Sequence, residues 1–260
     1  MMSMTKAEQK FVKSLATKKG RKESGMFAAE GVRLLEESFR HRYFPDKVYF
    51  AEHLMSDRGR QLLGRLSARR ISTENVSAPQ LRAISAATTP QGIVAVFKTP
   101  TVNPAELSRT DYRKILLCEN ISDPGNLGTL ARSALAFEFK LMLLVGNSAE
   151  PFAPKVVRSS AGAVFGLSIA RMDLDEISAF VGQRKIAVVA TDVQASGDKI
   201  PAGLVKRPFM LAIGSEATGL SEAILRRADF RVHIRHAQAV ESLNAAVAGS
   251  IIMSRTYHRM

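Results

Sequence analysis

The chain has 260 residues, an apolar fraction of 46% and a formal net charge of +13. That length suits one large domain or two ordinary ones, and that apolar share can build a real core. No apolar run reaches the ~18 residues a membrane span needs, the N-terminus lacks the apolar stretch of a secretory signal, and the single cysteine, Cys118, excludes an internal disulfide. A cytoplasmic protein is expected. The excess of Lys and Arg favours a polyanionic partner, because basic patches attract nucleic acid and release its counterions.

Residues 6–22 carry Lys6, Lys10, Lys13, Lys18, Lys19, Arg21 and Lys22 against one acid, Glu8. This density is read as a phosphate-contacting, RNA-binding patch. A short strand over 26–30 ends at Gly31. Val32, Leu35 and Phe39 share a helical face over 32–39. Strands follow over 48–50, 71–76 and 92–97, with helices over 53–66 and 79–84. The result is a first α/β domain over residues 1–100. Pro100 and Pro104 break the pattern, so a linker is placed over 101–111.

From 112 to 260 a second α/β alternation begins. Apolar strands are expected over 115–118, 141–145, 186–190, 209–213 and 230–234. Helices fit 127–136, 154–161, 174–182, 222–227 and 242–257. Near-continuous apolar strands separated by helices indicate a parallel sheet covered on both faces. Cys118 falls inside the first of these strands and is expected to be buried.

Three stretches of this second half stand out. The first is Asn120-Ile121-Ser122-Asp123-Pro124-Gly125-Asn126-Leu127-Gly128-Thr129, followed by Arg132. Pro-Gly forces a turn after the strand, and Asn126 is expected to cap the helix that follows. The second is Ile213-Gly214-Ser215-Glu216-Ala217-Thr218-Gly219-Leu220-Ser221, and the third is Glu241-Ser242-Leu243-Asn244-Ala245-Ala246. Ser242 and Asn244 suit a helix cap.

Familiar alternatives fail on spacing. The turn after Cys118 lacks the glycine pattern of a dinucleotide fold. Gly214 and Gly219 are separated as in a P-loop, but Leu220-Ser221 stands where Lys-Ser/Thr is required. His233, His236 and His258 are scattered, so no metal is expected.

Taken in order, the three stretches resemble the signature motifs of the SpoU (TrmH) family of RNA ribose 2′-O-methyltransferases. Ser160-Ala161-Gly162-Ala163 matches a further family stretch. Before Pro100, the runs from Phe27 to Leu35 and from Thr89 to Ile93 are similar to the L30e-like substrate-binding domain of many members. The resemblance implies a SPOUT fold, with a parallel sheet whose C-terminal part is threaded into a deep trefoil knot. It also implies a homodimer, and S-adenosylmethionine (AdoMet) as the cofactor.

Carried over residue by residue, the backbone at Gly214, Ile234 and Leu243, with Thr191, is expected to hold the cofactor. Asn120, Glu216, Ser242 and Asn244 are expected to order the catalytic site, and Arg132 matches the family's catalytic arginine. The third motif departs from the family's Ile-Pro-Met start and reads Ile234-Arg235-His236-Ala237-Gln238. Arg235 and His236 are expected to alter cofactor affinity or to add an RNA contact.

Methyl transfer to a ribose 2′-oxygen is an in-line displacement that needs alignment and removal of the hydroxyl proton. Without a cysteine in a motif, pyrimidine C5 methylation through a thioether is disfavoured. A guanidinium stays protonated near neutral pH, so Arg132 is assigned to the developing alkoxide and a neighbouring phosphate. The expected substrate is 23S ribosomal RNA. Transfer RNA is the alternative substrate, and a non-catalytic RNA-binding protein is the alternative class.

Overall fold

The apolar runs pair into two separate sheets in the computed structural model, which describes residues 4–257 apart from 88, 103–106, 108–109, 196, 198–199, 202, 238 and 240–241. Pro104, Gln238, Glu241 and His258, singled out in the sequence, therefore lie outside the described residues. The elements run α1 (Lys6–Ser14), α2 (Lys18–Ser24), β1 (Met26–Glu30), α3 (Val32–Arg40), β2 (Lys47–Phe50), α4 (Asp57–Ala68), β3 (Ser72–Asn75), α5 (Ala78–Ile84) and β4 (Ile93–Lys98). They continue as β5 (Lys114–Glu119), α6 (Pro124–Ala136), β6 (Leu141–Val145), α7 (Pro154–Ser159), β7 (Ser168–Arg171) and α8 (Leu174–Arg184). The last are β8 (Ala187–Thr191), β9 (Phe209–Ile213), α9 (Glu222–Arg227), β10 (Phe230–Val232) and α10 (Ala245–Tyr257). The chain divides into two compact units, 1–101 with 152–165, and 102–151 with 166–260.

In the first unit the sheet order is β1-β4-β2-β3. β4 runs antiparallel to β1 and β2, while β2 and β3 are parallel. Val12 and Leu15 of α1 and Leu81 and Ile84 of α5 bury against Tyr49, Val94 and Val96. Phe27 stacks on Phe97 with centroids 5.3 Å apart, and Phe152 and Phe165 close on this pair at 4.7 and 5.1 Å. These two rings flank α7 in sequence. Their burial explains why 152–165 belongs to this unit, although its place in the chain groups it with the second half.

The basic run at 6–22 proves to be two helices. Thr5 and Glu8 form a reciprocal capping box that starts α1, and Gly25 at φ 64° ends α2. The helix expected over 53–66 begins only at Asp57, because the hydroxyl of Ser56 accepts the Gly59 N–H at 3.3 Å and fixes the start there.

The second unit holds a six-stranded sheet in the order β10-β8-β9-β5-β6-β7, every pairing parallel. β7 was not marked by its composition, since Ser168 and Arg171 dilute its apolar pattern. Ile115, Leu117, Met210 and Ala212 face one core with Ile177 and Phe180 of α8 and Ile224 of α9. The opposite face is covered where α10 packs on α6 and β9. Gly249 permits that approach, because a Cβ there would come within 2.5 Å of the Leu130 side chain. No helix among the described residues is long and apolar enough to cross a membrane.

Candidate active site

In an open parallel sheet the strand carboxyl ends leave backbone groups and loops facing a crevice, where ligands collect. Here β8, β9 and β10 end at Thr191, Ile213 and Val232, and their loops line a cleft of about 540 Å³. That volume is in the range of small-molecule sites. Thr191, Gly214, Ile234 and Leu243, the four residues expected to hold a cofactor, all line it, as do Glu216 and Ser242. Thr191 donates its hydroxyl to Ala212 O at 3.1 Å, which ties the ends of β8 and β9.

The loop after β9 is fixed by close backbone contact. A Cβ on Gly214 would sit 2.2 Å from the Gly219 carbonyl carbon. Ser215 O accepts the Gly219 N–H at 2.9 Å, closing the turn. Below it, the buried carboxylate of Glu119 at the end of β5 accepts the Ser221 N–H at 2.7 Å. The sequence signal for this is an acid ending an apolar strand, which the motifs do not include.

Glu216 is the hub at the rim. One of its oxygens accepts Asn126 Nδ2 at 3.1 Å, Asn244 Nδ2 at 2.5 Å and the Ala245 N–H at 3.1 Å. Asn244 also donates to Asn126 Oδ1 at 2.9 Å. Its own Oδ1 accepts the N–H groups of Ala246 and Val247, so Asn244 caps α10. That is why α10 begins at Ala245 and not at the expected 242. All three motifs meet in this cluster.

Asn126 does not cap α6. Asp123 does, its carboxylate accepting the Asn126 N–H at 2.9 Å with Pro124 at the first helical position. Pro is preorganised for that position and lacks the N–H that a cap would have to satisfy. The Asn126 side chain is thereby released to reach Glu216. Asn120 is used differently: it takes φ 57°, and its Oδ1 accepts the Asn147 N–H at 2.9 Å, holding the turn after β6. Arg132 is exposed on α6, does not line the cleft, and has no partner among the described residues.

The altered third motif places His236 on the cleft wall and not in open solvent. Its Nδ1 lies 2.8 Å from Ile234 O. A carbonyl only accepts, so Nδ1 carries the proton. The His233 and His236 rings meet edge to face at 5.6 Å. Among the described residues no three His, Cys, Asp or Glu side chains gather as a metal site. Cys118 is fully buried on β5, and burial pushes its thiol well above the usual range. Lys6, Lys10, Lys13, Lys18, Lys19 and Lys22 are exposed on α1 and α2, whereas Arg21 is half-buried and donates to Leu15 O at 2.9 Å.

A parallel-sheet unit with a glycine-fixed cleft at its strand ends is the arrangement of an α/β protein that takes a nucleoside-sized ligand there. Residues 113–254 match the SpoU rRNA Methylase family, and residues 7–95 match the MRM3-like substrate binding domain. The chain belongs to the SpoU family. It is 32% identical over 248 residues to the 23S rRNA (guanosine(2553)-2′-O)-methyltransferase RlmP of Bacillus subtilis, covering 95% of this chain and 93% of that one. It is 30% identical over 250 residues to the 23S rRNA (uridine(2479)-2′-O)-methyltransferase of Streptomyces viridochromogenes, covering 92% and 85%. The structure of the SpoU methyltransferase AviRb from Streptomyces viridochromogenes in complex with AdoMet superposes with a TM-score of 0.86 at 26% identity, over 98% of both chains. An AdoMet-bound rRNA methyltransferase from Sinorhizobium meliloti gives 0.85 at 26% identity, over 100% of this chain and 97% of that one.

Proposed function

We propose that this chain methylates a ribose 2′-hydroxyl of 23S ribosomal RNA. The observation that carries the reading is the Asn126–Glu216–Asn244 cluster, which joins all three motifs at the rim of the cleft. Bound AdoMet supplies an electrophilic sulfonium methyl, so the displacement needs no metal. The cleft fits that group: Gly214 allows close backbone approach, Ile234 and Leu243 give apolar wall, and Thr191 and Ser242 give polar edges. Glu216 and Asn244 hold the two cofactor loops together and steady Ser242 toward the acceptor. Asn120 shapes the neighbouring turn. Arg132, exposed and unpartnered among the described residues, is free to meet the developing alkoxide and an RNA phosphate.

The substrate assignment draws support from the two relatives named for 23S rRNA 2′-O-methylation. The exposed lysines of α1 and α2 serve the RNA phosphates in this reading. A cytoplasmic homodimer with a knotted C-terminal segment completes it. Val247 and Tyr257, 46% and 40% exposed on α10, support pairing with a second copy there. Radiolabelled methyl transfer from AdoMet into total RNA, with the modified nucleotide mapped, tests the proposal. Label in transfer RNA alone would move the substrate. No cofactor binding at millimolar AdoMet would favour a non-catalytic RNA binder.

A further inference from the structure

The first unit has a second cationic surface that the lysines of α1 and α2 do not include. From residue 31 to 71 the chain carries eight arginines and one lysine, and no acid occurs between Arg58 and Thr73. Arg40, Arg58 and Arg60 are neutralised by Glu37, Glu36 and Asp57. Arg42, Arg65, Arg69 and Arg70 are exposed and have no carboxylate at ion-pair distance among the described residues. The guanidinium of Arg69 lies 4.4 Å from the centroid of Phe44, and that of Arg65 lies 5.1 Å from Phe39. Phe44 is 37% exposed and meets Phe39 edge to face. α3 and α4 contribute nothing to the core under α1 and α5, so this surface is separate from the lysine one.

A purely structural role accounts for part of this. Arg65 and Arg69 lie at the end of α4, where positive charge complements the helix dipole. It does not account for Arg42 and Arg70. These take φ 56° and 55° just past the ends of α3 and α4, where glycine is the comfortable residue. Nor does dipole complementarity call for the Arg69 guanidinium 4.4 Å from the centroid of a ring that is 37% exposed. A guanidinium stacks on π faces and forks two N–H groups to a phosphate, which an ammonium does not.

We infer that Arg69 and Phe44 form a stacking platform for an unpaired RNA base, with Arg42, Arg65 and Arg70 gripping the adjoining phosphates. This rests on the reading of RNA as substrate and extends it to a strand that runs over α3 and α4. Base stacking on such platforms tolerates any sequence.

The test is fluorescence anisotropy with a labelled single-stranded RNA of mixed sequence and an abasic oligomer of equal length. Arg42→Gly/Arg70→Gly relieves two left-handed residues, so its melting temperature should be no lower than wild type. Its RNA affinity should fall ~10-fold, and the salt slope should fall by ~1.4, as for two lost phosphate contacts on a single strand. Phe44→Ala should weaken the RNA at least ~5-fold, one stacked base, and leave the abasic oligomer unchanged. Unchanged RNA affinity in both variants overturns the inference, and so does an equal loss of both oligomers in Phe44→Ala, the mark of a general polyanion site. AdoMet titration of the same proteins separates the two readings. Wild type that takes up no AdoMet defeats the methyltransferase and leaves the platform standing.

Discussion

Asn244 donates to Glu216 at 2.5 Å, and this contact fastens the start of α10 to the loop after β9. The parallel bond from Ala245 N–H to the same oxygen, and the Asn126 side chain bonded to both residues, reinforce it. Glu216→Ala leaves Asn126, Asn244 and Ala245 without their shared acceptor. Losing such a set costs about 1–3 kcal/mol, so AdoMet affinity should drop ~10-fold or more and the melting temperature should fall. Glu216→Gln keeps an acceptor and should recover part of both. Calorimetric titration beside a thermal melt reads this out. Wild-type affinity in Glu216→Ala would remove the cluster from cofactor binding.

Gly214 and Gly219 should separate sharply under the same substitution. A methyl on Gly214 meets the Gly219 and Leu220 backbone within 2.4 Å, atoms that cannot swing away. Overpacking of this kind costs about 1–3 kcal/mol, and here it also opens the turn that lines the cleft. Gly219→Ala meets nothing within 4 Å and bears only the strain of φ +66°, about 1–2 kcal/mol. Gly214→Ala should therefore lose AdoMet binding while Gly219→Ala retains most of it. Equal behaviour of the two would mean the loop relaxes more freely than its contacts indicate.

At low pH the ionic anchoring of α1 should weaken. Glu8 accepts from Lys47 Nζ at 2.6 Å, and Lys47 also pairs with Glu74 at 2.7 Å. The Lys47 hydrogen bond, followed by the Thr5 N–H, lowers the Glu8 carboxyl from 4.5 to about 2. A depressed carboxyl contributes fully above its unfolded value and loses that contribution as pH falls through the folded one. The window is thus from pH 4.5 down to about 2. The pair is partly solvated, so the term stays below about 1 kcal/mol. Melting temperature against pH should fall less steeply across this window in Lys47→Met than in wild type. Parallel curves would assign the acid limb to other carboxylates.

How much of this was legible in the sequence depended on distance along the chain. Strands such as Leu141–Val145 and Phe209–Ile213 were plain, because a buried parallel strand is a continuous apolar run. Helix starts were legible only where the right cap was weighed. Asp123-Pro124 outcompetes Asn126, and the Thr5/Glu8 box was hidden inside a run of lysines. The motifs brought Glu216 and Asn244 to notice, but the bond from Asn126 spans 90 residues to Glu216. No local pattern encodes it. The aromatic closure of Phe152 and Phe165 on Phe27 is likewise tertiary. Deleting residues 1–100 would strip those rings of their cover, so charge substitutions on α1 and α2 test the lysine surface more cleanly.

Arg132 is proposed to serve the methyl acceptor. It sits on α6, two turns beyond the Asp123 cap, exposed and outside the cleft lining. A group so placed can act on the acceptor strand without touching the cofactor. Under the proposed role, Arg132→Ala removes a positive charge that faces the developing alkoxide, and one such electrostatic contact is worth ~10²–10³ in rate. AdoMet affinity should stay near wild type, because Gly214, Ile234 and Leu243 are untouched. Arg132→Lys should rescue poorly, since a point-charge ammonium does not reproduce a planar two-pronged grip. Single-turnover methylation of ribosomal RNA beside cofactor titration measures both quantities on all three proteins. Near-normal turnover in Arg132→Ala, or cofactor binding that collapses with the rate, would show that this arginine serves the fold or the cofactor and not the methyl acceptor.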